Sequence, residues 1–306
     1  MRPARRMLAA ALTAGLAAGS LLAALPGAPA TASTASVVAA TPAGVVAVAA
    51  ELVNAGNGHL MWSRGLDARR PIASITKVMT ALVVLQAGNL NRKIRVTEAA
   101  EQYGRAFDPS EADLHPGDVL TARQVLEGLL LPSGSDAAYL LASTYGPGWH
   151  AFVRKMNAAA RRLHMTRTHY ANFDGLPWPT EHSTYSTARD LLRLTVAVMK
   201  FAAFRQIVTQ RTHFIGATRQ HHRYFWKNTN LLLDRYRGAI GIKTGYTAGA
   251  GYCLLFAARR GSRELTGVVL DSTGTEPNER FSAAADLLNW GFAKLARPAS
   301  RTETSK

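Results

Sequence analysis

Three short motifs in this 306-residue chain contain residue types that can carry out nucleophilic chemistry. They are Ser74-Ile75-Thr76-Lys77, then Ser133-Gly134-Ser135, and then Lys243-Thr244-Gly245. A lone Ser-x-x-Lys pair has little meaning, because Ser and Lys are both common residues. The three motifs in this order, each in a fitting local context, indicate an enzyme that attacks carbonyl carbons with a serine activated by a lysine.

The first motif predicts a nucleophile and its base. A serine hydroxyl is a poor nucleophile at neutral pH and needs a base within hydrogen-bond distance. The spacing of Ser74 and Lys77 places both on one face of a helix. The residues that follow, up to Ala87, are almost all apolar, which predicts a helix buried on nearly all sides. Burial disfavours the charged ammonium, so Lys77 is expected to be neutral enough to accept the Ser74 proton; an exposed Lys77 on an amphipathic helix would not fit these neighbours.

The other two motifs each allow two interpretations. Ser133 and Ser135 precede a helical pattern, so they could cap a helix N-terminus or supply catalytic hydroxyls. Lys243-Thr244-Gly245 ends an apolar strand, and Gly245 permits a close backbone approach. That motif could be a plain strand end with a turn, or a strand edge that pairs with an extended substrate while Lys243 and Thr244 hold an anion.

The periodicity of the chain predicts the elements that must position these motifs. Two β-rich runs separated by turn residues predict a hairpin near the start. A capping box, Thr121-x-x-Gln124, opens a helical middle region, and Thr187-x-x-Asp190 caps its last helix. The predicted strands are Val45–Val53, Leu60–Trp62, Ala239–Lys243, Tyr252–Ala258 and Leu265–Leu270, and the predicted helices are Ser74–Ala87, Ala122–Leu130, Asp136–Thr144, Trp149–Leu163, 188–201 and Phe281–Leu295.

This order predicts an α/β (α+β) fold with one antiparallel five-stranded sheet flanked by helices. Two strands alone are marginal, so the first and last strands are expected to share a sheet. An all-helical subdomain is then inserted between strands 2 and 3. A cleft at the junction of the sheet and the helical part is the expected place for the site.

The N-terminal segment has the pattern of an export signal. Three arginines precede an apolar run from about Leu8 to Leu25, and Ala28-Pro29-Ala30 supplies a small-x-small cleavage site. An uncleaved membrane anchor is the alternative, since the run is near the length that spans a bilayer. The predicted boundaries are a signal peptide over 1–30, a flexible lead-in over 31–43, a folded domain over 44–296 (sheet part 44–90 and 236–296, helical part 91–235) and a polar tail over 297–306.

The charge of the chain limits its partners. The formal net charge is +16, and removal of the three arginines in 1–30 leaves +13. An exported basic protein meets anionic lipid headgroups and anionic wall polymers, so binding to these surfaces is expected. The densest basic stretch, Lys200 to Arg237, contains no recognisable nucleic-acid module and is predicted to be a solvated rim of strands and loops.

The sequence gives little support to metal or redox chemistry. The histidines form no His-Glu-x-x-His pattern, and we expect neither a metal nor a cofactor. The single cysteine, Cys253, lies in an apolar run and is predicted to be a buried small hydrophobe.

The motifs also resemble a known family. Ser-Ile-Thr-Lys, Ser-Gly-Ser-Asp-Ala and Gly-Ile-Lys-Thr-Gly-Tyr-Thr resemble the three signatures of the serine-type D-alanyl-D-alanine carboxypeptidases, which are low-molecular-weight penicillin-binding proteins. Segments 172–177, 228–232 and 250–253 are similar to the family as well. The resemblance covers about residues 44–295. It implies a DD-peptidase/β-lactamase-like fold, with 44–296 as the catalytic domain.

The resemblance implies a two-step acyl transfer on peptidoglycan stem peptides that end in D-Ala-D-Ala. Ser74 would attack the penultimate D-Ala carbonyl with Lys77 as general base, and Ser133 would protonate the leaving D-Ala. The backbone N–H groups of Ser74 and Tyr246 would form the oxyanion hole. Substrate binding would fall to Lys243, Thr244, Gly245 and Ser135, and β-lactam antibiotics would acylate the enzyme.

Two departures from the family leave alternatives open. Ser135 stands where the family usually has Asn, and a hydroxyl reaches less far and offers less than an amide. The chain also ends soon after its closing helix, where many relatives continue into a further domain and an anchor. The alternatives are a DD-endopeptidase acting on cross-links and a non-catalytic wall-binding relative; a β-lactamase fits less well, because Glu181 lacks the expected Asn four residues on.

Overall fold

The structure, a computed structural model, describes residues 41–107, 110–272 and 276–296. The predicted signal peptide, most of the predicted lead-in and the predicted polar tail lie outside these ranges. Within them, no helix combines the length and apolar character needed to cross a bilayer.

The strands of the described residues range from two-residue bridges to ten-residue strands. They are β1 Ala49–Asn54, β2 Leu60–Arg64, β3 Arg70–Pro71, β4 Lys93–Arg95, β5 Val119–Thr121, β6 Tyr185–Ser186, β7 Thr212–Ile215, β8 Tyr224–Lys227, β9 Ala239–Thr247, β10 Gly251–Arg260 and β11 Arg263–Ser272.

The helices lie mainly between β3 and β9. They are α1 Thr76–Ala87, α2 Glu98–Phe107, α3 Ala122–Leu130, α4 Ser135–Tyr145, α5 Trp149–Arg162, α6 Ala188–Val198, α7 Ala202–Val208, α8 Leu232–Arg235 and α9 Glu279–Ala296, and a 3₁₀ turn, Ala73–Ile75, leads into α1.

The predicted antiparallel five-stranded sheet is confirmed for the described part of the chain, with strand order β2-β1-β11-β10-β9. The N-terminal hairpin joins the C-terminal meander through β1 and β11, whose register runs from Ala49 opposite Leu270 to Asn54 opposite Leu265. Each inner strand is therefore hydrogen-bonded on both sides, which two strands alone could not achieve.

Helices cover both faces of the sheet. On one face α9 packs with Phe281, Leu287 and Leu288 against sheet residues such as Leu254 and Phe256. The larger core lies on the other face, between the sheet and the helical part of the chain. Burial of each large apolar side chain in these cores stabilises the fold by about 1.5–3 kcal/mol.

The sequence predicted that the part over 91–235 is all helical, and this is wrong. The two-stranded ribbons β4-β5 and β7-β8 lie within it, and its strand β6 pairs with β3 from the preceding part of the chain. The ribbons are short returns of the chain between helices, and pairing satisfies the backbone groups that these returns would otherwise bury. The helix predicted over 188–201 is α6, which ends three residues earlier at Val198, and a separate short helix, α7, begins at Ala202.

Helix α1 lies at the centre of the larger core. Every residue from Thr76 to Leu85 is buried, as the unbroken apolar pattern predicted. A helix without a polar stripe must be surrounded on all sides. It therefore gives the 3₁₀ turn at its N-terminus a rigid support.

Candidate active site

Ser74 lies in the 3₁₀ turn that leads into α1 rather than in the helix itself. Ala73, just before it, has a φ of 46°, a left-handed conformation that an L-residue rarely adopts. Ser74 is half-buried while its neighbours Ala73 and Ile75 are buried. The turn thus presents the Ser74 hydroxyl at the surface of a cleft while the chain around it is fixed.

Lys77 is completely buried and links the first two motifs. Its Nζ lies 3.1 Å from Ser74 Oγ. From the second motif, the Ser133 carbonyl oxygen lies 2.6 Å away, Ser133 Oγ 3.4 Å and Ser135 Oγ 3.0 Å. These contacts fix the amine between the half-buried Ser74 and the buried Ser133 and Ser135.

Ser133 is held in a strained backbone conformation. Its φ is 73°, which costs an L-residue about 1–2 kcal/mol. This conformation turns both its carbonyl oxygen and its hydroxyl toward Lys77. Strain of this kind persists where the surrounding structure requires it, and it clusters at functional sites.

The helix-cap interpretation of the second motif is wrong. The N-cap of α4 is Gly134, and neither neighbouring serine caps the helix through its side chain. Asp136 in the first turn instead accepts hydrogen bonds from the backbone N–H groups of Ala112 and Leu114, at 2.9 and 3.0 Å. The start of α4 is thereby tied to the segment that carries Ser110 into the cleft.

The third motif forms part of the wall of the same cleft. Thr244 Oγ1 lies 2.6 Å from Thr229 Oγ1, so β9 is joined there to the chain that follows β8. A side chain at Gly245 would meet the Ile72 carbonyl oxygen at 3.0 Å, so glycine allows β9 to approach the 3₁₀ turn. Lys243 is almost completely buried, and its Nζ donates to the Thr244 carbonyl oxygen at 3.0 Å.

One end of the cleft is aromatic and cationic. Tyr246 is 55% exposed, and its ring stacks on Tyr252 with centroids 4.5 Å apart. Arg280, in the first turn of α9, lies over the Tyr252 ring and donates to the Gly245 carbonyl oxygen at 3.0 Å. Burial lowers the pKa of Arg280 from its usual range.

The loop 172–178 contributes two residues, Leu176 and Pro177, to the lining of the cleft. Asn172 donates to the carbonyl oxygens of Leu176 and Trp178, each at 2.8 Å, and Thr80 of α1 donates to the Phe173 carbonyl oxygen at 2.5 Å. These bonds hold Leu176 and Pro177 against the cleft.

The acids that a β-lactamase would need are placed elsewhere. The Asp174 carboxylate accepts from the Tyr103 hydroxyl at 2.7 Å and from the Leu176 N–H at 3.1 Å. Glu181 is exposed on the surface. Neither residue lines the cleft that contains Ser74.

The structure brings the three motifs together around one cleft of about 430 Å³. Five predicted site residues line it, and Lys77, Ser135 and Lys243 lie buried behind its surface. Sequence reasoning missed Ser110 and Arg280, and it gave Thr229 no role. The lining residues are Ser74, Ser110, Ser133, Leu176, Pro177, Thr229, Thr244, Gly245, Tyr246, Thr247, Ala248 and Arg280.

Two of the predicted substrate contacts stay predictions. Ser135 is completely buried, and its hydroxyl faces Lys77. Lys243 faces a backbone carbonyl at the foot of the cleft. Both side chains support residues of the cleft in the structure as it stands.

Metal-ligating side chains do not cluster in the part of the chain that the structure describes. Cys253 is buried, as predicted, and burial raises the pKa of its thiol to about 12. A thiol in this state is a poor nucleophile and a poor metal ligand.

Comparison with known proteins agrees with this geometry. Residues 36–274 match the family described as D-alanyl-D-alanine carboxypeptidase. The chain is 42% identical over 305 residues to the D-alanyl-D-alanine carboxypeptidase of Streptomyces sp. strain K15. The matched region covers 94% of this chain and 99% of the relative. It is 32% identical over 279 residues to a D-alanyl-D-alanine endopeptidase of Escherichia coli K12, covering 89% of this chain and 86% of that one.

The structural comparison points the same way. The crystal structure of the Streptomyces K15 DD-transpeptidase superposes with a TM-score of 0.78 at 41% identity, over 83% of this chain and all of that one. At this identity and coverage the likeness extends over most of the chain and is not limited to the fold.

Proposed function

This chain belongs to the D-alanyl-D-alanine carboxypeptidase family, and we propose that it removes the terminal D-Ala from peptidoglycan stem peptides through an acyl-enzyme on Ser74. It is a serine-type hydrolase of that family, whose members act outside the cytoplasm. The observation that carries the proposal is the approach of Lys77 Nζ to within 3.1 Å of Ser74 Oγ, at the wall of the cleft.

Acylation begins with proton transfer from Ser74 to Lys77. In its neutral form the Lys77 amine has two N–H groups. These can donate hydrogen bonds to the Ser133 carbonyl oxygen at 2.6 Å and to Ser135 Oγ at 3.0 Å. Its lone pair then accepts the Ser74 proton as Oγ bonds to the carbonyl carbon of the penultimate D-Ala. The backbone N–H groups of Ser74 and Tyr246 stabilise the oxyanion that forms.

The acyl-enzyme forms when the C–N bond breaks. The proton held by Lys77 passes through the Ser133 hydroxyl, 3.4 Å away, to the nitrogen of the departing D-Ala. Water then adds to the ester carbon as Lys77 takes one of its protons. Lys77 passes that proton to Ser74 Oγ as the ester C–O bond breaks, which releases the shortened stem peptide and restores both residues. The strained conformation of Ser133 supports this role, because it holds the hydroxyl beside Lys77.

Substrate binding is assigned to β9. An extended stem peptide pairs with its edge, and Thr244 and Gly245 line the cleft where the terminal carboxylate lies. Lys243 and Arg280 supply positive charge at this end. Ser135 acts in this scheme mainly by positioning Lys77, since its side chain is completely buried.

An endopeptidase that cuts D-Ala cross-links is the second candidate. The same residues would carry it out, and the E. coli relative with 89% coverage of this chain is named an endopeptidase.

A non-catalytic wall-binding protein is less well supported, because Ser135 contributes an oxygen to Lys77 despite its departure from the family pattern. A β-lactamase is less well supported, because neither Asp174 nor Glu181 lines the cleft to activate a deacylating water.

The proposed location follows from charge and from the N-terminal pattern. We place the protein outside the cytoplasm, secreted or associated with the wall or membrane. The net charge, +16 for the full chain and +13 without residues 1–30, favours anionic wall polymers or an anionic membrane surface over a neutral one.

Labelling with a fluorescent penicillin tests the nucleophile. We expect a covalent label that persists for many minutes and is lost in Ser74→Ala. Ser262→Ala, at an exposed serine in the turn between β10 and β11, is the matched control and should label like the parent protein. Rapid turnover of benzylpenicillin would instead show a β-lactamase.

Mass spectrometry of the products from defined muropeptides separates the candidate functions. We expect D-Ala to be released from a pentapeptide substrate by the parent protein and not by Ser74→Ala. Cleavage of cross-linked dimers without release from the pentapeptide would favour the endopeptidase. The absence of both products, with no penicillin label, would overturn the catalytic proposal.

A further inference from the structure

The ribbon β7-β8 projects one face out of the fold. Its inner face is fixed: Ile215, Tyr224 and Trp226 are buried. Trp226 Nε1 donates to the Ala112 carbonyl oxygen at 2.8 Å, and the Tyr224 hydroxyl donates to Asp118 at 2.5 Å. Side chains alternate along a strand, so the residues between these are turned to solvent.

Two phenylalanines occupy the centre of this outward face. Phe214 and Phe225 are directly opposite each other in the register of the ribbon. Each is 65% exposed, more than any other large hydrophobic side chain in the described ranges. The proposed reaction does not use them, because the cleft is lined by other residues.

Cations surround this aromatic pair. Phe225 and Lys227 are the exposed positions of β8, and Arg223, just before the strand, is exposed as well. Arg219 lies further back in the connection between the two strands. Residues 212–227 contain no Asp or Glu.

These cations are also not neutralised by the rest of the fold. Salt bridges elsewhere join Arg211 to Asp234 at 2.7 Å and Arg205 to Glu264 at 3.1 Å. Among the described residues, no salt bridge involves Arg219, Arg223 or Lys227. The outward face therefore combines unneutralised positive charge with exposed aromatic rings.

We propose that this face of the β7-β8 ribbon docks on an anionic lipid bilayer. Phe214 and Phe225 enter the interface below the headgroups, and Arg219, Arg223 and Lys227 contact the lipid phosphates. A soluble anionic polymer would bind the cations but leave both rings in water, whereas a bilayer surface accommodates the cations and the rings together. This goes beyond the proposed reaction, which needs no membrane contact.

Docking through the ribbon would fix the cleft relative to the bilayer. Strand β8 ends at Lys227, and Thr229, which follows shortly, lines the cleft and lies 2.6 Å from Thr244. The docked face and the cleft wall are thus parts of one continuous segment. The enzyme would then work on wall peptides at a set distance from the membrane.

Hydrogen exchange of the full-length protein on vesicles tests the proposal. The N-terminal apolar segment could bind lipid itself, so the readout must be local to the ribbon. We compare vesicles of phosphatidylglycerol with phosphatidylcholine, vesicles of phosphatidylcholine alone, and soluble polyphosphate. We expect slower exchange in peptides covering 211–228, above all in the 216–223 connection, only with the anionic vesicles.

Variants separate the rings from the charges. Phe214→Ser with Phe225→Ser should abolish the local protection while leaving D-Ala release unchanged, which also shows that the variant is folded. Arg223→Gln and Lys227→Gln should each reduce the affinity for anionic vesicles, measured by this local protection, about fivefold. The matched control is Leu60→Ser with Val196→Ser, two exposed apolar positions elsewhere, and it should keep the protection.

Three outcomes would overturn the proposal. The first is vesicle binding without protection of 211–228. The second is protection that survives in the double phenylalanine variant or is lost equally in the control. The third is protection by polyphosphate but not by vesicles, which would assign the ribbon to an anionic polymer.

Discussion

Lys77 is held by the Ser74 hydroxyl of the first motif and by one carbonyl and two hydroxyl oxygens of the second. Each of its contacts with Ser74, Ser133 and Ser135 lies between 2.6 and 3.4 Å. A long flexible side chain fixed in this way loses its rotamer freedom on folding rather than during the reaction. The strain at Ser133 is part of the same arrangement, because its carbonyl and its hydroxyl both face the Lys77 amine in this left-handed conformation.

Two substitutions at Ser133 separate its chemistry from its backbone strain. Ser133→Ala and Ser133→Gly both remove the hydroxyl, so each should slow acylation by a penicillin about 100-fold. Glycine adopts a φ of 73° without strain, whereas alanine is strained there as serine is, so Ser133→Gly should be more stable than Ser133→Ala by about 1 kcal/mol.

Urea unfolding and penicillin labelling of the same two proteins supply both measurements. Equal stabilities would show that the backbone relaxes when the hydroxyl is lost, and the strain would then belong to the contact with Lys77. Normal acylation in either variant would remove Ser133 from the proton pathway.

Single residues also mark how far the sequence could predict the site. Ser74 and Lys77 could be paired from spacing, because three residues on a helix is a local relation. Arg280 could not be assigned to the site from the sequence, because nothing near it shows that α9 begins beside β9. Ser135 was predicted to touch substrate from its place in a motif, and only three-dimensional packing shows that its hydroxyl faces Lys77.

At the scale of elements, the 3₁₀ turn and the loop 172–178 support each other. Gly175 has a φ of 86°, and a Cβ there would overlap the Ala73 carbonyl oxygen and lie 2.6 Å from Thr76 Oγ1. The loop thus packs directly on the backbone that presents Ser74. Glycine is required at this position for its conformation and for its lack of a side chain.

Gly175→Ala should therefore damage the reaction without touching substrate. The collision must displace the turn, and a misplacement of about 1 Å can cost about 100-fold in rate. Gly58→Ala is the matched control, since Gly58 has a φ of 70° and open space around it. The control should lose about 1 kcal/mol of stability and no activity.

Penicillin acylation rates and thermal unfolding of both variants provide the measurement. Equal losses of activity in the two would show that conformational strain alone matters. Full activity in Gly175→Ala would show that the loop 172–178 moves to accommodate the methyl group and that the position of the 3₁₀ turn does not depend on the loop.

The same scale explains which elements the sequence could predict. The main strands and α1 follow from continuous apolar segments and their glycine boundaries. The two-residue and three-residue strands of β3-β6 and β4-β5 could not be predicted, because pairing of so few residues depends on partners far away in the chain. Helix α7 was likewise not predicted, because it is only seven residues long and follows α6 without a Gly or Pro between them.

For the whole molecule, the central sheet separates two cores and carries a buried carboxyl group. Glu51 on β1 pairs across to Ser63 and Val268 and is only 6% exposed. No hydrogen-bond partner for its Oε2 is found among the described residues. Burial raises the pKa of Glu51 from 4.5 to about 7, although the positive charge of Arg189 acts in the opposite direction.

This burial should make the stability of the whole fold depend on pH. Below pH 4.5 the carboxyl is protonated in both folded and unfolded chains, so it does not lower the free energy of unfolding. As pH rises toward 7, the unfolded chain releases the proton readily and the folded one does not, so stability falls. Above pH 7 the folded protein must hold a buried charge, at a cost on the order of 2 kcal/mol.

Glu51→Gln keeps the size and polarity of the side chain but removes the titration. Urea unfolding of both proteins at pH 5 and pH 8 should give similar stabilities at the lower pH and a more stable variant at the higher one, by about 2 kcal/mol. Because other groups titrate equally in both proteins, the difference between the two curves isolates Glu51. Parallel curves would mean that Arg189 or solvent neutralises the carboxylate and that the centre of the sheet tolerates its charge.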